Sequence, residues 1–227
     1  MKLWGFIVIS ASMFIGGCQS EARPIENYEE ARRILWQSIY PYSAKTLYCG
    51  QKFDSDFRKG INIEHVFPMS WATHALKCGT RKQCRVKSDL FNRIEADLHN
   101  LFPARTDVNA DRGAFAFGEI KGESRRYGKS CDFEISERQR IAEPAPQVRG
   151  DIARAMFYMA YQYKDHGLRI FTRPGRVLQS WNLDDPPSAE EIKRNDRIES
   201  IQGNRNQFID DPDMLNQLID KGIFFKN

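Results

Sequence analysis

The sequence is short of the side chains that most protein metal centres are built from. It has four histidines, His65, His74, His99 and His166, and five cysteines. No Cys-x-x-Cys pair occurs, which argues against a zinc knuckle. No His-x-x-x-His or Glu-x-x-His spacing occurs either, which argues against a zinc hydrolase. There is no internal repeat and no low-complexity tract, so a solenoid is set aside. Between residues 26 and 205 no linker is long enough to separate a pair of domains. Nothing along the chain resembles a base-reading module.

What is present suits one folded body. The 227 residues are 41% hydrophobic and 12% aromatic, enough to fill a core. Met1 and Lys2 precede an uncharged, largely apolar stretch from Leu3 to Ile15, the length of a signal-peptide core and too short to cross a bilayer comfortably as a helix. Ile15-Gly16-Gly17-Cys18 follows and resembles a bacterial lipobox, in which the cysteine is acylated and becomes the new N-terminus. Ordinary cleavage nearby is the alternative. Two or three acyl chains on Cys18 would anchor the protein to a membrane. The expected organisation is a signal peptide over 1–17, a tether over 18–25, a folded domain over 26–208 and a tail over 209–227.

Setting Cys18 aside leaves Cys49, Cys78, Cys84 and Cys131, an even number in a chain that reads as exported, so two disulfides are expected. Three pairings are possible. The small separation and the loop-like Gly79-Thr80-Arg81-Lys82-Gln83 between them favour Cys78–Cys84, with Cys49–Cys131 by elimination. Charge is uneven. Residues 182–227 carry 6 basic and 10 acidic side chains, whereas residues 19–181 carry 27 Lys and Arg against 20 Asp and Glu. A basic body suits a polyanionic partner, though an ordinary solvated surface has the same composition.

Asn27 to Ile39 has a helical rhythm with Asn27 as its cap. Ile61, Ile63 and Phe67 alternate with other residues as in a strand, which Pro68 interrupts. Val86 to Leu98 reads as a helix. Thr106 or Asp107 would cap another, carrying Asn109 and running towards Phe117. Gly118 to Lys129 reads as an exposed loop, and Val148 to Tyr163 has the period of a buried helix face. Ser188 with Glu191 is a capping-box pattern opening a charged helix to about Ile201. Asn206 to Asn227 reads as a loosely held tail.

Three segments carry chemistry. Asn62-Ile63-Glu64-His65-Val66-Phe67-Pro68 sets a carboxylate beside an imidazole at a strand end. Glu95-Ala96-Asp97-Leu98-His99-Asn100 and Val108-Asn109-Ala110-Asp111-Arg112-Gly113 follow, with the Cys-bracketed Arg81 between them and His65. These segments, in this order, resemble the endonuclease I family of bacterial periplasmic and secreted nucleases, of the ββα-metal (His-Me finger) superfamily. Tyr48-Cys49-Gly50, Ala142-Glu143-Pro144, Arg149 to Arg154 and Ile201-Gln202-Gly203-Asn204 extend the likeness over roughly 26–208.

The resemblance implies an α+β fold: a mostly helical single domain around a ββα-metal core. It implies endonucleolytic cleavage of DNA and RNA with little sequence preference, leaving 5′-phosphate ends, and a monomer. His65 would be the general base, Arg81 a phosphate ligand, and Glu95 a group orienting Arg81 or a metal-bound water. Glu64 and Asn109 would bind Mg2+, for which Mn2+ or another divalent cation substitutes; both offer oxygen, as a hard cation prefers. The rival reading is a non-catalytic, membrane-anchored DNA-binding lipoprotein, which has no need of the His65, Glu64 and Asn109 set. Arg112, Arg125, Arg126 and Lys129 are candidate backbone contacts, and solvated charge is as good a reading for each. His74, His99 and His166 read as surface or structural histidines. Neighbouring residues on a regular strand face opposite ways, so Glu64 and His65 can serve one phosphate only if the strand twists, bulges or ends there. The chain departs from the family where some members carry further disulfides: Ile192 stands in place of a cysteine, and no cysteine follows Asn206. Since Arg81 lies between two cysteines, reduction is expected to loosen the site.

Overall fold

Asn27 starts the first helix as the sequence predicts. In a computed structural model, which describes residues 22–224 except 55, 57 and 123, its side chain accepts from the Glu30 amide at 3.0 Å. The signal peptide, the lipobox with Cys18 and the start of the tether lie outside the described residues. Helix α1 (Tyr28–Ile34) widens into a π turn over Leu35–Ile39. Two short strands follow, β1 (Ala44–Lys45) and β2 (Lys52–Phe53), then β3 (Ile61–His65). Helices α2 (Met69–Leu76), α3 (Arg81–Lys87) and α4 (Asp89–Ala96) lead to β4 (Leu101–Arg105) and α5 (Thr106–Arg112). Strands β5 (Ala116–Phe117), β6 (Phe133–Ser136) and β7 (Ile141–Pro144) precede α6 (Arg149–Gln162), α7 (Thr172–Asp184), α8 (Ala189–Gln202), α9 (Gln207–Asp210) and α10 (Pro212–Asp220).

The fold is α+β, and its centre is a ββα unit. β3 and β4 pair antiparallel, Ile61 opposite Arg105 and His65 opposite Leu101, and α5 follows β4 directly. The three helices α2 to α4 are inserted between the two strands. One connection thereby brings three separate stretches of sequence to the end of β3.

Apolar burial holds this arrangement. Along α6, Ile152, Ala155, Met156 and Met159 are buried as their spacing predicts, and Ala153, Phe157 and Tyr158 are buried too, because this helix is covered on several sides. A second cluster of Ala31, Leu35, Ile39, Ala96, Leu98, Leu101 and Ile198 pins α1 and α8 to the ββα unit. Fully burying each such large aliphatic or aromatic side chain contributes about 1.5–3 kcal/mol. The two disulfides are Cys49–Cys131 and Cys78–Cys84, the favoured pairing.

Several local expectations are corrected. The segment between Cys78 and Cys84 is not a loop. Thr80 caps α3 with a capping box, its Oγ1 accepting from Gln83 N and the Gln83 side chain accepting from Thr80 N. Gly79 stands ahead of it with φ +101°, and an added Cβ would collide with the Gln83 side chain, so only glycine fits this entry. The helix expected over Val86 to Leu98 is instead α3 and α4, broken at Ser88, whose extended backbone lets its Oγ cap the Phe91 amide. The helix through Asn109 starts after Arg105 rather than at a Thr106 or Asp107 cap, and ends at Gly113.

The box at Ser188 is half formed. Its Oγ accepts from the Glu191 amide, but the Glu191 carboxylate turns inward to Arg154, at 2.8 and 2.5 Å. A buried guanidinium without that partner would be far more costly than an unfilled cap. The loosely held tail is corrected as well. Asn206 is buried and donates to Arg154 O at 3.1 Å. Phe208, Ile209, Leu215, Leu218, Ile219 and Phe224 pack inward, with the Phe224 ring 4.8 Å from Phe157. Apolar docking holds this end, where no cysteine follows Asn206. No helix among the described residues is long and apolar enough to cross a membrane.

Candidate active site

Asn100 anchors the end of β3. The Asn100 side chain accepts from Phe67 N at 2.6 Å and donates to Phe67 O at 3.0 Å, while its backbone carbonyl accepts from Val66 N. Regular pairing therefore stops at His65, and this resolves the problem of neighbouring side chains facing opposite ways. Glu64 and His65 do diverge: Glu64 turns towards Tyr48 and Arg112, His65 towards α4 and α1. Because the strand ends there, both still line one cavity of about 600 Å³ together with Asn62, Arg81 and Asn109.

His65 has its tautomer set by its neighbour. Nε2 lies 3.0 Å from the Glu95 carbonyl, which can only accept, so Nε2 carries the proton and Nδ1 keeps its lone pair. The ring also packs against Tyr28 at 5.2 Å. Burial, and next the Arg81 charge, pull the imidazole pKa down to about 4. The ring is thus neutral, a proton acceptor in waiting.

Glu64 is buried, and Tyr48 and Arg112 both donate to its Oε1, at 2.6 and 2.9 Å. Burial raises its pKa, opposed first by Arg112 and then by the Tyr48 hydroxyl. Both side-chain donors fall on one oxygen, the His65 amide also bonds the carboxylate, and the residue lines the cavity. Asn109 has a matching asymmetry. Its Nδ2 donates to Asn62 Oδ1 at 2.9 Å and to Ile63 O at 3.1 Å, and since the Ile63 carbonyl only accepts, the amide nitrogen must face it. Asn109 Oδ1 takes no hydrogen bond from the described residues. One carboxylate oxygen and one amide oxygen at the same cavity fit a hard divalent cation that keeps most of its waters. Among the described residues no group of three or more His, Cys, Asp and Glu side chains is arranged so that it could hold a metal ion, the donor set that zinc prefers.

Arg81 is the first residue of α3 and donates through Nε to Glu95 Oε1. Glu95 is 1% exposed and also accepts from Arg85 Nε at 2.7 Å and Nη2 at 2.9 Å. Burial would raise its pKa, but the Arg85 and Arg81 hydrogen bonds outweigh it and hold the carboxyl below its ordinary range. The structure thus brings all five predicted residues, His65, Arg81, Glu95, Glu64 and Asn109, to one place, with Glu95 behind Arg81 and supplying through its backbone the carbonyl that orients His65.

Four neighbours go beyond the residues the sequence singles out: Tyr28, Tyr48, Asn62 and Arg85. Tyr48 and Asn62 stand in the segments that carry the resemblance but without a role of their own there, and Arg85 has a signal in lying four residues after Arg81, where the Thr80-x-x-Gln83 box marks both as helical. Arg112 is corrected: it is no contact for a nucleic-acid backbone. It is 1% exposed and donates to Glu64 Oε1, His65 O and Val66 O, so it braces the end of β3 from inside. Arg125 pairs with Asp132, and Arg126 with Asp111 and Glu137, all at the surface. His99 is buried, with Nε2 3.1 Å from Asn204 O, a structural histidine as expected.

Comparison with known proteins bears on this constellation. The family model described as Endonuclease I matches residues 16–213. The chain is 43% identical to an extracellular deoxyribonuclease of Aeromonas hydrophila over 215 residues, 84% of this chain and 91% of that protein. It is 30% identical over 210 residues to Endonuclease-1 of Buchnera aphidicola subsp. Acyrthosiphon pisum, 82% of each. It is 36% identical over 138 residues to an extracellular ribonuclease of Bacillus subtilis, 54% of this chain and 46% of that one.

Proposed function

The chain belongs to the endonuclease I family, and from that membership and the geometry of the β3 end we propose that it is an exported, divalent-metal-dependent endonuclease. Its substrates are DNA and RNA, cut with little sequence preference to leave 5′-phosphate ends. The observation that carries this reading is the free Nδ1 of His65 in one cavity with the Glu64 carboxylate and the unbonded amide oxygen of Asn109.

His65 Nδ1 takes a proton from a water, whose oxygen attacks phosphorus. The bond to the 3′ oxygen breaks, leaving phosphate on the 5′ side and a 3′-hydroxyl. Arg81 holds a non-bridging phosphate oxygen through the guanidinium edge that Glu95 leaves free. Glu64 and Asn109 would hold magnesium, which when bound supplies charge neutralisation at the phosphate and an acidic water for the leaving oxygen. Phosphate contacts bind every sequence alike, which accounts for weak preference. Export and a lipid anchor at Cys18 rest on the N-terminal sequence, and relatives described as extracellular support export. The protein would act as a monomer.

Plasmid incubated with the oxidised protein truncated after Cys18 tests the proposal. Conversion to nicked, linear and then degraded DNA is expected with Mg2+ and none with EDTA. A folded protein that binds DNA but cuts neither DNA nor RNA in any divalent cation is instead the DNA-binding lipoprotein.

The small disulfide gives a second expectation. Cys84 lies inside α3 and is fully buried, and Cys78 ties that helix to the end of α2. Cys78→Ser with Cys84→Ser frees the helix start that carries Arg81, and kcat/KM is expected to fall about tenfold or more, because small misplacements of a phosphate ligand are costly. Steady-state rates of the folded double variant equal to those of the oxidised parent would mean that the capping box alone suffices.

A further inference from the structure

Arg85 has no part in the mechanism above, yet it shares the most buried carboxylate of the site. Glu95 accepts from Arg81 Nε through one oxygen, and from Arg85 Nε and Nη2 through both. One guanidinium would neutralise it; two leave a net positive charge at the cavity mouth. The arginine side chains are 44% and 42% exposed, against 1% for Glu95. Both nitrogens Nη1 and Nη2 of Arg81, and Nη1 of Arg85, make no hydrogen bond among the described residues. Tyr28 lies under the pair, its ring centroid 5.6 Å from Arg81 Cζ and 5.5 Å from Arg85 Cζ, and 5.2 Å from His65. A cation over that ring face gains from its quadrupole and loses freedom to swing. Arg81 lines the cavity, and Arg85 follows one helical turn on, a rise of about 6 Å. The backbone positions are thus about one phosphate step apart, while the two guanidiniums converge on Glu95 Oε1 and present their remaining nitrogens on its outer side.

We propose that Arg85 is a second phosphate-binding arginine, which takes the phosphate next to the scissile one on the same strand. This rests on the nuclease reading and adds to it a requirement for substrate on one side of the cut. The carboxylate of Glu95 and the ring of Tyr28 hold the two guanidiniums at a fixed spacing, so one strand is gripped at two consecutive phosphates.

The test pairs Arg85→Gln with short oligonucleotides in which the phosphate on one side or the other of the central linkage is a neutral methylphosphonate. The central cut is read from product sizes. For the parent protein, neutralising the contacted phosphate lowers kcat/KM about tenfold, as expected for a lost hydrogen bond between charged groups. Arg85→Gln lowers it to a similar degree on the all-phosphate strand, chiefly through KM. The two losses do not multiply for one flank and do multiply for the other. Arg85→Lys, which keeps a charge, retains part of the flank preference. The salt dependence of oligonucleotide binding falls by about one phosphate contact in Arg85→Gln. Losses that multiply on both flanks, or an unchanged salt slope, overturn the proposal and leave Arg85 as a brace for Glu95. A parent protein that cuts no oligonucleotide in any divalent cation refutes the nuclease reading itself, a different and separable failure.

Discussion

His65→Ala is expected to lower kcat for phosphodiester cleavage by about 10³-fold, within the range that a positioned general base contributes. The physical case is the one-sided use of the ring. Nε2 is committed to the Glu95 carbonyl, so the only nitrogen that can take a proton from water is Nδ1, and burial keeps it unprotonated. Removing the ring removes that acceptor. The oxygens of Glu64 and Asn109 and the guanidinium of Arg81 stay where they are, because each is held by other partners: Arg112 and Tyr48, Asn62 and Ile63, and Glu95. KM should therefore change little while kcat collapses. Single-turnover cleavage of a labelled duplex in Mg2+ measures this directly. A variant that keeps more than a tenth of the parent rate would place the base elsewhere.

Arg112→Ala is expected to cost about 3–5 kcal/mol of folding stability, since it strands a buried carboxylate. The Arg112–Glu64 pair is 1% and 3% exposed, and the same guanidinium satisfies His65 O and Val66 O. Its loss leaves the buried Glu64 carboxylate with the Tyr48 hydroxyl but no countercharge, and takes the guanidinium donor from two buried backbone carbonyls. Urea unfolding of the apo protein gives the number. Arg112→Met combined with Glu64→Gln should recover much of the loss, because removing both charges avoids the lone buried ion. A single variant within about 1 kcal/mol of the parent would show that Glu64 is not charged in the apo protein, or that water reaches it.

These two residues also mark what can be read from the chain. His65 is legible because a Glu-His pair before a proline, followed in order by two further polar segments and a bracketed arginine, is a pattern more specific than any of its parts. Asn27, Ser188 and the period of α6 are legible because capping and helical burial depend on residues close in sequence. The disulfides are legible from spacing. Around Arg81, two cysteines and a glycine suggest a loop, although Thr80 and Gln83 already spell a capping box. The packing of the C-terminal segment is not legible, because its apolar residues are spread between charges and find their partners on α6 and α7, far back in the chain.

The sequence by itself determined which chemical groups the site would have: one imidazole, oxygen donors in Glu64 and Asn109, and an arginine near a second carboxylate. Tertiary structure alone decided what Arg85 and Arg112 do. Arg81, Arg85 and Arg112 are the same residue type; the cysteine bracket singles out Arg81, but no local pattern separates Arg85 from Arg112. Their roles follow from carboxylates 14, 10 and 48 residues away, and from whether water can reach the pair. Buried and paired with Glu64, Arg112 became a brace. Half exposed, with hydrogen bonds left to give, Arg81 and Arg85 remained available to phosphate. Desolvation and long-range pairing set a charge's function, and both exist only once the chain has folded.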